Sequence, residues 1–423
     1  MLHRQFQQWR KNLFLGWWVL FAVMVLQMLV AGLFFQSFGV YVPVLIKEFG
    51  WSATAISLSV SARQLFGSIT GPAIGFAIDR YGSKAVIGTG LVLMGIAYIS
   101  FSRVNSLTIF ILVQLFLGFA ANLSGWLPCT KLLVNWFARR RTRALAFMSI
   151  GMSVGGLLSP LIAYCISSFG WRSVAVVSGL AVLSGLSLLP LLRNSPEAYG
   201  LEPEGYVKPS SNLADDDQEF TAREAMRTRS FWLIAMGHGL ALMSVVTIIT
   251  HYVTHVSTGL GYSLQTAASL FAVLTTSQII GQLISGFFGD ILSKRWLAAT
   301  GMLLHSTAFL GLALAKALPL ILIASMIHGI AWGLRGPLMS ALRADYFGRK
   351  DFGKIMGISD PIIIVGALVG PVLAGYSFDH FGSYSPGFLF ISAMALIGGI
   401  FFAMATKPQK RAKAQLSSQN LPV

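Results

Sequence analysis

The segment Gly75-Phe-Ala-Ile-Asp79-Arg80-Tyr-Gly82-Ser-Lys84 returns later in the chain as Gly286-Phe-Phe-Gly-Asp290-Ile-Leu-Ser-Lys294-Arg295. The first glycines of the two copies, residues 75 and 286, lie 211 positions apart in a chain of 423 residues. A period of half the chain is typical of a duplicated half-protein and not of a solenoid repeat. The same spacing relates Gly50-Trp51-Ser52 to Gly261-Tyr262-Ser263, Gly118 to Gly329, Gly125 to Gly336, and Pro160 to Pro371.

The composition is that of a polytopic membrane protein. Apolar residues make up 55% of the chain, charged residues 11%, and the mean hydropathy is +0.70, too apolar for a water-soluble surface. Apolar segments long enough to cross a bilayer, about 20 residues each, predict an all-α membrane protein with twelve transmembrane helices in two pseudo-symmetric six-helix bundles. They lie near 14–45, 54–78, 84–101, 106–135, 144–168, 172–192, 231–257, 264–291, 296–316, 318–342, 353–377 and 386–405.

Polar segments divide the chain into four parts. We predict an N-terminal six-helix bundle at 1–192, a cytoplasmic linker at 193–229, a C-terminal six-helix bundle at 230–406, and a cytoplasmic tail at 407–423. The Pro, Gly and acidic content of the linker is typical of a solvated tether, with a regulatory site as the alternative. The first thirteen residues are polar and basic, so no cleaved signal peptide is expected.

The distribution of charge predicts the topology. The net charge is +16, which in a soluble protein would suggest a nucleic-acid partner. Of the 31 Lys and Arg residues, 24 fall on one side of the predicted spans and four on the other. Because basic residues concentrate on the cytoplasmic side of membrane proteins, both termini are predicted to be cytoplasmic, and no nucleic-acid partner is expected.

The two cysteines and the absence of known catalytic motifs limit the chemistry that is expected of this protein. Cys129 and Cys165 both lie in apolar segments, which excludes a disulfide framework, and neither accompanies a His-Glu cluster that would bind zinc. The sequence contains no P-loop, no H-E-x-x-H and no G-x-S-x-G motif. We therefore expect no enzyme activity, no cofactor and no metal, and transport energy from an ion or solute gradient.

The repeated segments at 75–84 and 286–295 predict a gate. Glycine lets two helices approach, and an Asp at a helix end followed by basic residues forms charge pairs that must break when the mouth opens. The gating residues are predicted to be Asp79, Arg80, Lys84, Asp290, Lys294 and Arg295.

These repeated loops resemble the cytoplasmic signature of the major facilitator superfamily. Three further segments are similar to its bacterial monocarboxylate and oxalate:formate antiporter-like branch: Asn135-Trp136-Phe137 with the basic run to Arg143, Pro196-Glu197-Ala198-Tyr199-Gly200-Leu201, and Ala344-Asp345-Tyr346-Phe347-Gly348-Arg349. The resemblance covers nearly the whole chain. It implies transport of small organic anions, with a proton or in exchange for another anion.

Basic residues inside predicted spans are the candidates for substrate binding, because a charge in the membrane is costly unless it faces a cavity or a partner. Arg63 lies about nine residues, or about 14 Å, below the outer end of span two. Arg335, in Gly333-Leu-Arg335-Gly336-Pro337 of span ten, offers a bidentate fork for a carboxylate and is the preferred substrate anchor. The alternative for each is a buried structural charge.

Polar residues in other spans complete the predicted site. Asp360 is the candidate partner of Arg335, either as a static ion pair or as a group that takes a proton and releases Arg335. Lys131 is expected to reach the interface near the basic run at 139–143. Animal monocarboxylate transporters carry an acid and an arginine in span eight, where this chain has Gln278 and Gln282, and these join Asn122 as substrate-binding candidates.

Histidines within the spans are candidates for proton coupling. His238 and His251 lie in span seven and His328 in span ten, and histidine titrates near neutral pH. Together with Asp360 they form the predicted coupling set, with satisfied packing residues as the alternative.

We thus predict a secondary active transporter of small organic anions that works by alternating access, proton-coupled or anion-exchanging, as a monomer in the lipid bilayer of the bacterial inner membrane. A drug, cation or siderophore transporter of the same fold is one alternative, and a drug or cation exporter would be expected to carry buried acids. A transporter-like receptor is the second.

Overall fold

The computed structural model describes residues 14–137, 140–204, 219–289, 291–348 and 351–409. Within these ranges the chain forms twelve long helices, and the predicted number of spans is confirmed. The helices are α1 (Gly16–Phe49), α2 (Ala53–Tyr81), α3 (Ser83–Phe101), α4 (Leu107–Trp136), α5 (Arg143–Phe169), α6 (Trp171–Leu191), α7 (Arg229–Gly259), α8 (Leu264–Phe288), α9 (Lys294–Leu314), α10 (Leu318–Phe347), α11 (Phe352–Phe381) and α12 (Ser385–Met404).

Helix α2 differs from the other eleven in composition. Eleven of the helices are both long and apolar enough to cross a membrane, whereas α2 is 29 residues long but more polar. Its buried residues include Ser57, Ser59, Ser61 and Arg63. Polar residues in a membrane span face other helices or a cavity and not lipid. Accordingly, α2 packs against α4 of its own half and α11 of the other half.

Repeated glycine and serine positions set the same helix ends in both halves. Gly50 and Gly261 have φ angles of +67° and +81°, in the left-handed region that favours glycine. Two residues later, the side chains of Ser52 and Ser263 accept hydrogen bonds from the backbone N–H three residues on, at 3.1 and 3.0 Å. These N-caps start α2 and α8. In each half the repeated segment therefore marks the end of one helix and the start of the next.

Glycines inside the C-terminal half bring helix backbones into contact. A Cβ at Gly366 of α11 would lie 1.8 Å from the carbonyl oxygen of Gly239 in α7. A Cβ at Gly333 of α10 would lie 2.0 Å from the carbonyl oxygen of Gln278 in α8. Small residues permit this approach, which provides the packing that holds membrane helices together.

We expect Gly366→Ala to lower the thermal unfolding temperature of the purified protein in detergent. The added methyl group overlaps the α7 backbone, and such overpacking costs about 1–3 kcal/mol. Gly357→Ala, on the same helix, is the matched control because its Cβ would meet no atom within 4 Å. Scanning fluorimetry of both variants checks the packing; equal unfolding temperatures would contradict it.

The two halves meet on the side of the bundle away from the described ends of the chain. On this side Asp379 of α11 contacts the start of α2, and the hydroxyl of Ser61 donates to the carbonyl oxygen of Leu368 at 2.7 Å. Towards the other side, a Cβ at Gly71 of α2 or Gly357 of α11 would meet no atom within 4 Å. The halves are therefore closed together on one side, whereas at these two glycines, on the side where the described chain begins and ends, they do not touch.

Helices α5 and α8 form a second contact between the halves. A Cβ at Gly156 would lie 2.4 Å from the side chain of Thr275, and the hydroxyl of Ser153 lies 3.1 and 3.3 Å from the amide atoms of Gln282. This contact continues deeper into the bundle than the one between α2 and α11. It places polar groups of both halves near the middle of the membrane.

Two segments of the predicted linker are folded against the bundles, which differs from a free tether. The backbone N–H of Glu204 donates to the carbonyl oxygen of Trp136 at 2.9 Å, and that of Phe220 to Phe347 at 2.9 Å. A one-turn helix, Ala222–Met226, begins with a capping box. Composition did not indicate these contacts because they depend on backbone groups at the ends of α4 and α10. Residues 205–218 lie outside the described residues.

Candidate functional site

Arg63 lies inside the N-terminal half without a carboxylate partner in the described part of the chain. Its side chain is 2% exposed, and Nη1 donates to Oε1 of Gln114 in α4 at 3.0 Å. The guanidinium lies 4.4 Å from the ring centroid of Phe34 and 5.1 Å from that of Phe38, both in α1. These cation–π contacts offset part of the cost of burying the charge. Nε has no hydrogen-bond partner.

Glycines on α2 and α4 make room for Arg63 and its neighbours. A Cβ at Gly118 would lie 2.6 Å from Cγ of Arg63, and one at Gly67 would lie 2.5 Å from the amide nitrogen of Asn122. Gly67 is one helical turn from Arg63, so the predicted site residue Asn122 lies close to it. The structure thus brings two of the predicted substrate-binding residues together in the N-terminal half.

Arg335 is the corresponding buried charge of the C-terminal half. It is 1% exposed, and its Nε and Nη1 atoms are buried without a hydrogen-bond partner. A Cβ at Gly301 of α9 would lie 3.1 Å from Cβ of Arg335, so the side chain leaves α10 on the face towards α9. No carboxylate of the described residues lies within 4.0 Å, and the candidate ion pair with Asp360 is not formed.

Arg343 is a buried arginine that the sequence interpretation missed. Span ten was predicted to end at residue 342, which leaves Arg343 outside it, but α10 continues to Phe347 and Arg343 is 2% exposed. Nη1 donates to the carbonyl oxygen of Met339 at 3.1 Å, and both terminal nitrogens lie 3.4 Å from Nδ1 of His238. The signal that was available is the position of Arg343 directly after the predicted span 318–342.

Asp360 and His238 therefore belong with Arg343 and not with Arg335. Asp360 is exposed on α11, and its main electrostatic partner is Arg343. His238 of α7 contacts the same guanidinium. One acid and one imidazole thus interact with Arg343, while Arg335 has neither as a hydrogen-bond partner.

The two glutamines of α8 occupy different settings. Gln282 contacts Ser153 across the two halves, as described above. Gln278 is fully buried, and neither its amide oxygen nor its amide nitrogen has a partner. It lies one turn from both Thr275 and Gln282, which face the other half, so it shares their helix face. Unpartnered buried amides are rare in folded proteins.

His251 takes part in the closed side of the bundle. Its Nε2 lies 2.9 Å from the carbonyl oxygen of Pro371 in α11 and 2.7 Å from the hydroxyl of Ser57 in α2. Since a carbonyl oxygen only accepts, Nε2 carries the proton and donates. The ring therefore joins the two halves where they meet, next to the contact made by Asp379.

Asp379 is a second contact residue that the sequence interpretation missed. Its carboxylate accepts from the backbone N–H groups of Ala53 and Thr54 at 2.9 and 2.8 Å and from the hydroxyl of Thr54 at 2.5 Å. A negative charge at a helix N-terminus is favourable because it meets unpaired N–H groups and the positive end of the dipole. Asp379 thus caps a helix of the opposite half.

His328 is paired with a histidine that was not among the predicted site residues. Its Nδ1 lies 3.3 Å from Nδ1 of His305 in α9, and both rings are fully buried. Arg335 is their electrostatic neighbour. Screening the spans for every ionisable residue would have found His305, since it lies in the middle of span nine.

The predicted gating residues that the structure describes make contacts within their own halves. Asp79 lies 3.5 Å from Lys131, so Lys131 reaches the end of the bundle and pairs with an acid. Lys294 lies 2.7 Å from Asp345 of α10. The backbone N–H of Lys84 donates to Asn194, while the guanidinium groups of Arg80 and Arg295 lie over the rings of Tyr81 and Trp296. Asp290 lies outside the described residues.

Two similar six-helix halves, closed together on one side and carrying buried polar groups at their centre, define a membrane transport protein. The chain belongs to the Major Facilitator Superfamily, whose family model matches residues 24–275 and 236–423. It is a multi-pass membrane transporter and not an enzyme.

Known proteins of this superfamily are similar over nearly the whole chain. The glycerol-3-phosphate transporter of Bacillus subtilis is 23% identical over 405 residues, 89% of each protein. Monocarboxylate transporter 13 of Bos taurus is 26% identical over 425 residues, 93% of this chain and 92% of that protein. Among solved structures, a bacterial homologue of the lysosomal transporter Spinster, inward-facing and unoccupied, has a TM-score of 0.73 with 17% identity, covering 92% of this chain and 97% of that one.

Proposed function

We propose that this transporter moves small organic anions by alternating access. The observation that carries the proposal is a buried arginine in each half, Arg63 and Arg335, without a carboxylate partner in the described residues. An unpaired guanidinium in a membrane interior is costly, and a carboxylate or phosphate group would provide the missing charge and hydrogen bonds. The site is therefore complete only when an anion is bound.

In this proposal, polar residues of both halves supply the remaining contacts for the anion. Asn122 near Arg63 and Gln278 on the face of α8 that meets the N-terminal half both offer amide donors. Gln282 contacts Ser153 where the halves touch. Rocking of one half against the other would expose this region to each side of the membrane in turn. The names of the two relatives, a monocarboxylate and a glycerol-3-phosphate transporter, support an anionic substrate.

The orientation follows from the charge distribution. Basic residues are concentrated on the side of the chain termini, which we assign to the cytoplasm of a bacterial inner membrane. The separated side of the bundle then faces the cytoplasm, and the contacts made by Asp379 and His251 close the outer side. We propose that the monomer is functional, with a proton or a second anion as the coupled species.

Counterflow in proteoliposomes tests the proposed function. Vesicles loaded with unlabelled lactate or oxalate are expected to accumulate the labelled anion transiently, because a carrier exchanges bound substrate without net flux. A cationic dye serves as the comparison, since a drug or cation transporter of the same fold would move it instead. Movement of the dye with no exchange of either anion would overturn the proposal, and a receptor would exchange neither.

A further inference from the structure

The contact between His305 and His328 leaves a base without a partner in the C-terminal half. A neutral imidazole has one N–H and one lone pair, so a contact of 3.3 Å between two Nδ1 atoms means that one ring donates to the other. The donor ring then carries its lone pair on Nε2. Both Nε2 atoms are buried and have no hydrogen-bond partner. One further proton can therefore be placed on the pair without breaking the bond between the rings.

The surroundings of the pair are apolar except for one charge. The ring of Phe309 lies 5.6 Å and that of Trp332 6.5 Å from His328. On α10 the charge that interacts with the pair is Arg335, which lies two turns from His328. No carboxylate interacts with the pair among the described residues.

The other helices packed near the pair contribute few titratable groups. Helix α12, which packs against α9, and α8, which packs against α10, contain no ionisable residue. Helix α7 contributes His255, whose Nε2 lies 3.0 Å from the carbonyl oxygen of Leu312 in α9, and His238, which lies against Arg343. His251 is held at the contact between the halves. The pair is thus distinguished by its shared bond and by Arg335 as its main charged neighbour.

We propose that the His305–His328 pair is a proton-binding site whose occupancy depends on an anion bound at Arg335. The inference rests on the proposed function. With Arg335 unpaired, a second positive charge on the pair is disfavoured, because like charges repel strongly where water is excluded. An anion on Arg335 cancels that repulsion, and the proton then enters the vacant Nε2. Because coupling between two sites is reciprocal, the proton favours the anion equally. Anion and proton are therefore carried together.

Transport with a pH gradient tests the proposal. Proteoliposomes at pH 7 inside and pH 6 outside are supplied with labelled lactate, or oxalate if counterflow shows that to be the substrate. One proton per anion allows accumulation of up to about tenfold per pH unit, since one unit equals a factor of ten in proton activity. In His305→Gln and His328→Gln we expect accumulation to fall to the onefold level, while counterflow continues at a rate that no longer changes with pH.

His255→Gln is the matched control. His255 is a buried imidazole that also contacts α9, but Arg335 is not among its electrostatic neighbours. We expect this variant to accumulate the anion as the wild type does. Accumulation by the His305 or His328 variants equal to that of the wild type would overturn the proposal. So would a wild type that exchanges anions but does not respond to the pH gradient.

A measurement on the wild type avoids dependence on the folding of the variants. Addition of lactate or oxalate to the purified transporter in weakly buffered detergent solution is expected to remove about one proton per bound anion from the medium, read with a pH indicator dye. Anion binding without proton uptake would disprove the coupling. Absence of anion counterflow and of binding in the wild type would refute the proposed function itself, which separates the two failures.

Discussion

Replacing Arg335 by glutamine is expected to abolish anion uptake while leaving the amount of protein in the membrane at the wild-type level. Arg335 is 1% exposed, and its Nε and Nη1 atoms have no hydrogen-bond partner. Glutamine keeps some polarity and length but loses the charge and the forked donor geometry. Breaking a buried charge pair costs about 3–5 kcal/mol, which corresponds to a loss of at least about 100-fold. Initial uptake rates of the labelled anion in proteoliposomes measure the effect.

The thermal stability of the same variant distinguishes a binding residue from a structural one. Because the charge of Arg335 is unpaired in the structure, Arg335→Gln removes the free-energy cost of burying that charge. The unfolding temperature of the unliganded protein should therefore be unchanged or higher. Stabilisation by added anion should disappear. Arg343→Gln is the matched control, since Arg343 donates to the Met339 carbonyl and contacts His238. Loss of these contacts should lower the unfolding temperature.

Two results would contradict a substrate-binding role for Arg335. If Arg335→Gln takes up the anion at the wild-type rate, Arg335 does not bind substrate. If the variant unfolds at a lower temperature and no longer inserts, the arginine is a structural charge. The variant Arg103→Gln, at an exposed position between α3 and α4, controls for the loss of one positive charge far from the site.

The fold was predictable because its determinants are local and repeated. Gly50 and Gly261 end one helix, and Ser52 and Ser263 start the next, through backbone conformation and hydrogen bonds that span only three residues. Apolar length then sets the number of spans. Helix α2 was recognised from its apolar segment at 54–78, although it is less apolar than the others.

The partners of the site residues were not predictable, since they lie on helices distant in sequence. Arg343 was placed outside the membrane because the predicted apolar segment ends at residue 342, whereas α10 continues to Phe347. The contacts of His305 and Asp379 depend on His328 in the next helix and on the start of α2, respectively. Sequence spacing carries no information about which helix faces meet, or about which side of the bundle is closed.

A disulfide between cysteines at positions 54 and 379 is expected to stop transport completely and reversibly. Residues Thr54 and Asp379 belong to opposite halves, and their side chains are 2.5 Å apart between Oγ1 and Oδ2. Alternating access requires this side of the bundle to open in each cycle. A covalent bond would hold the protein with its halves closed here and separated on the other side. The variant is made as Thr54→Cys/Asp379→Cys in a background with Cys129→Ala and Cys165→Ala.

The reduced double variant gives the reference rate for this experiment, because Asp379→Cys also removes the carboxylate that caps α2. Oxidation with copper phenanthroline should bring uptake to the level of empty vesicles, and a reducing agent should restore the reference rate. Each single cysteine variant should be unaffected by the oxidant.

Anion binding by the cross-linked protein separates closure of one side from damage to the site. Since the halves stay apart on the side of the chain termini, the anion should still reach Arg335 from that side and raise the unfolding temperature of the oxidised protein. Binding without transport is the signature of a carrier held in one state. If the cross-link forms in most molecules and uptake continues, the contact between α2 and α11 does not open during the cycle, and the side closed by Asp379 is not a gate.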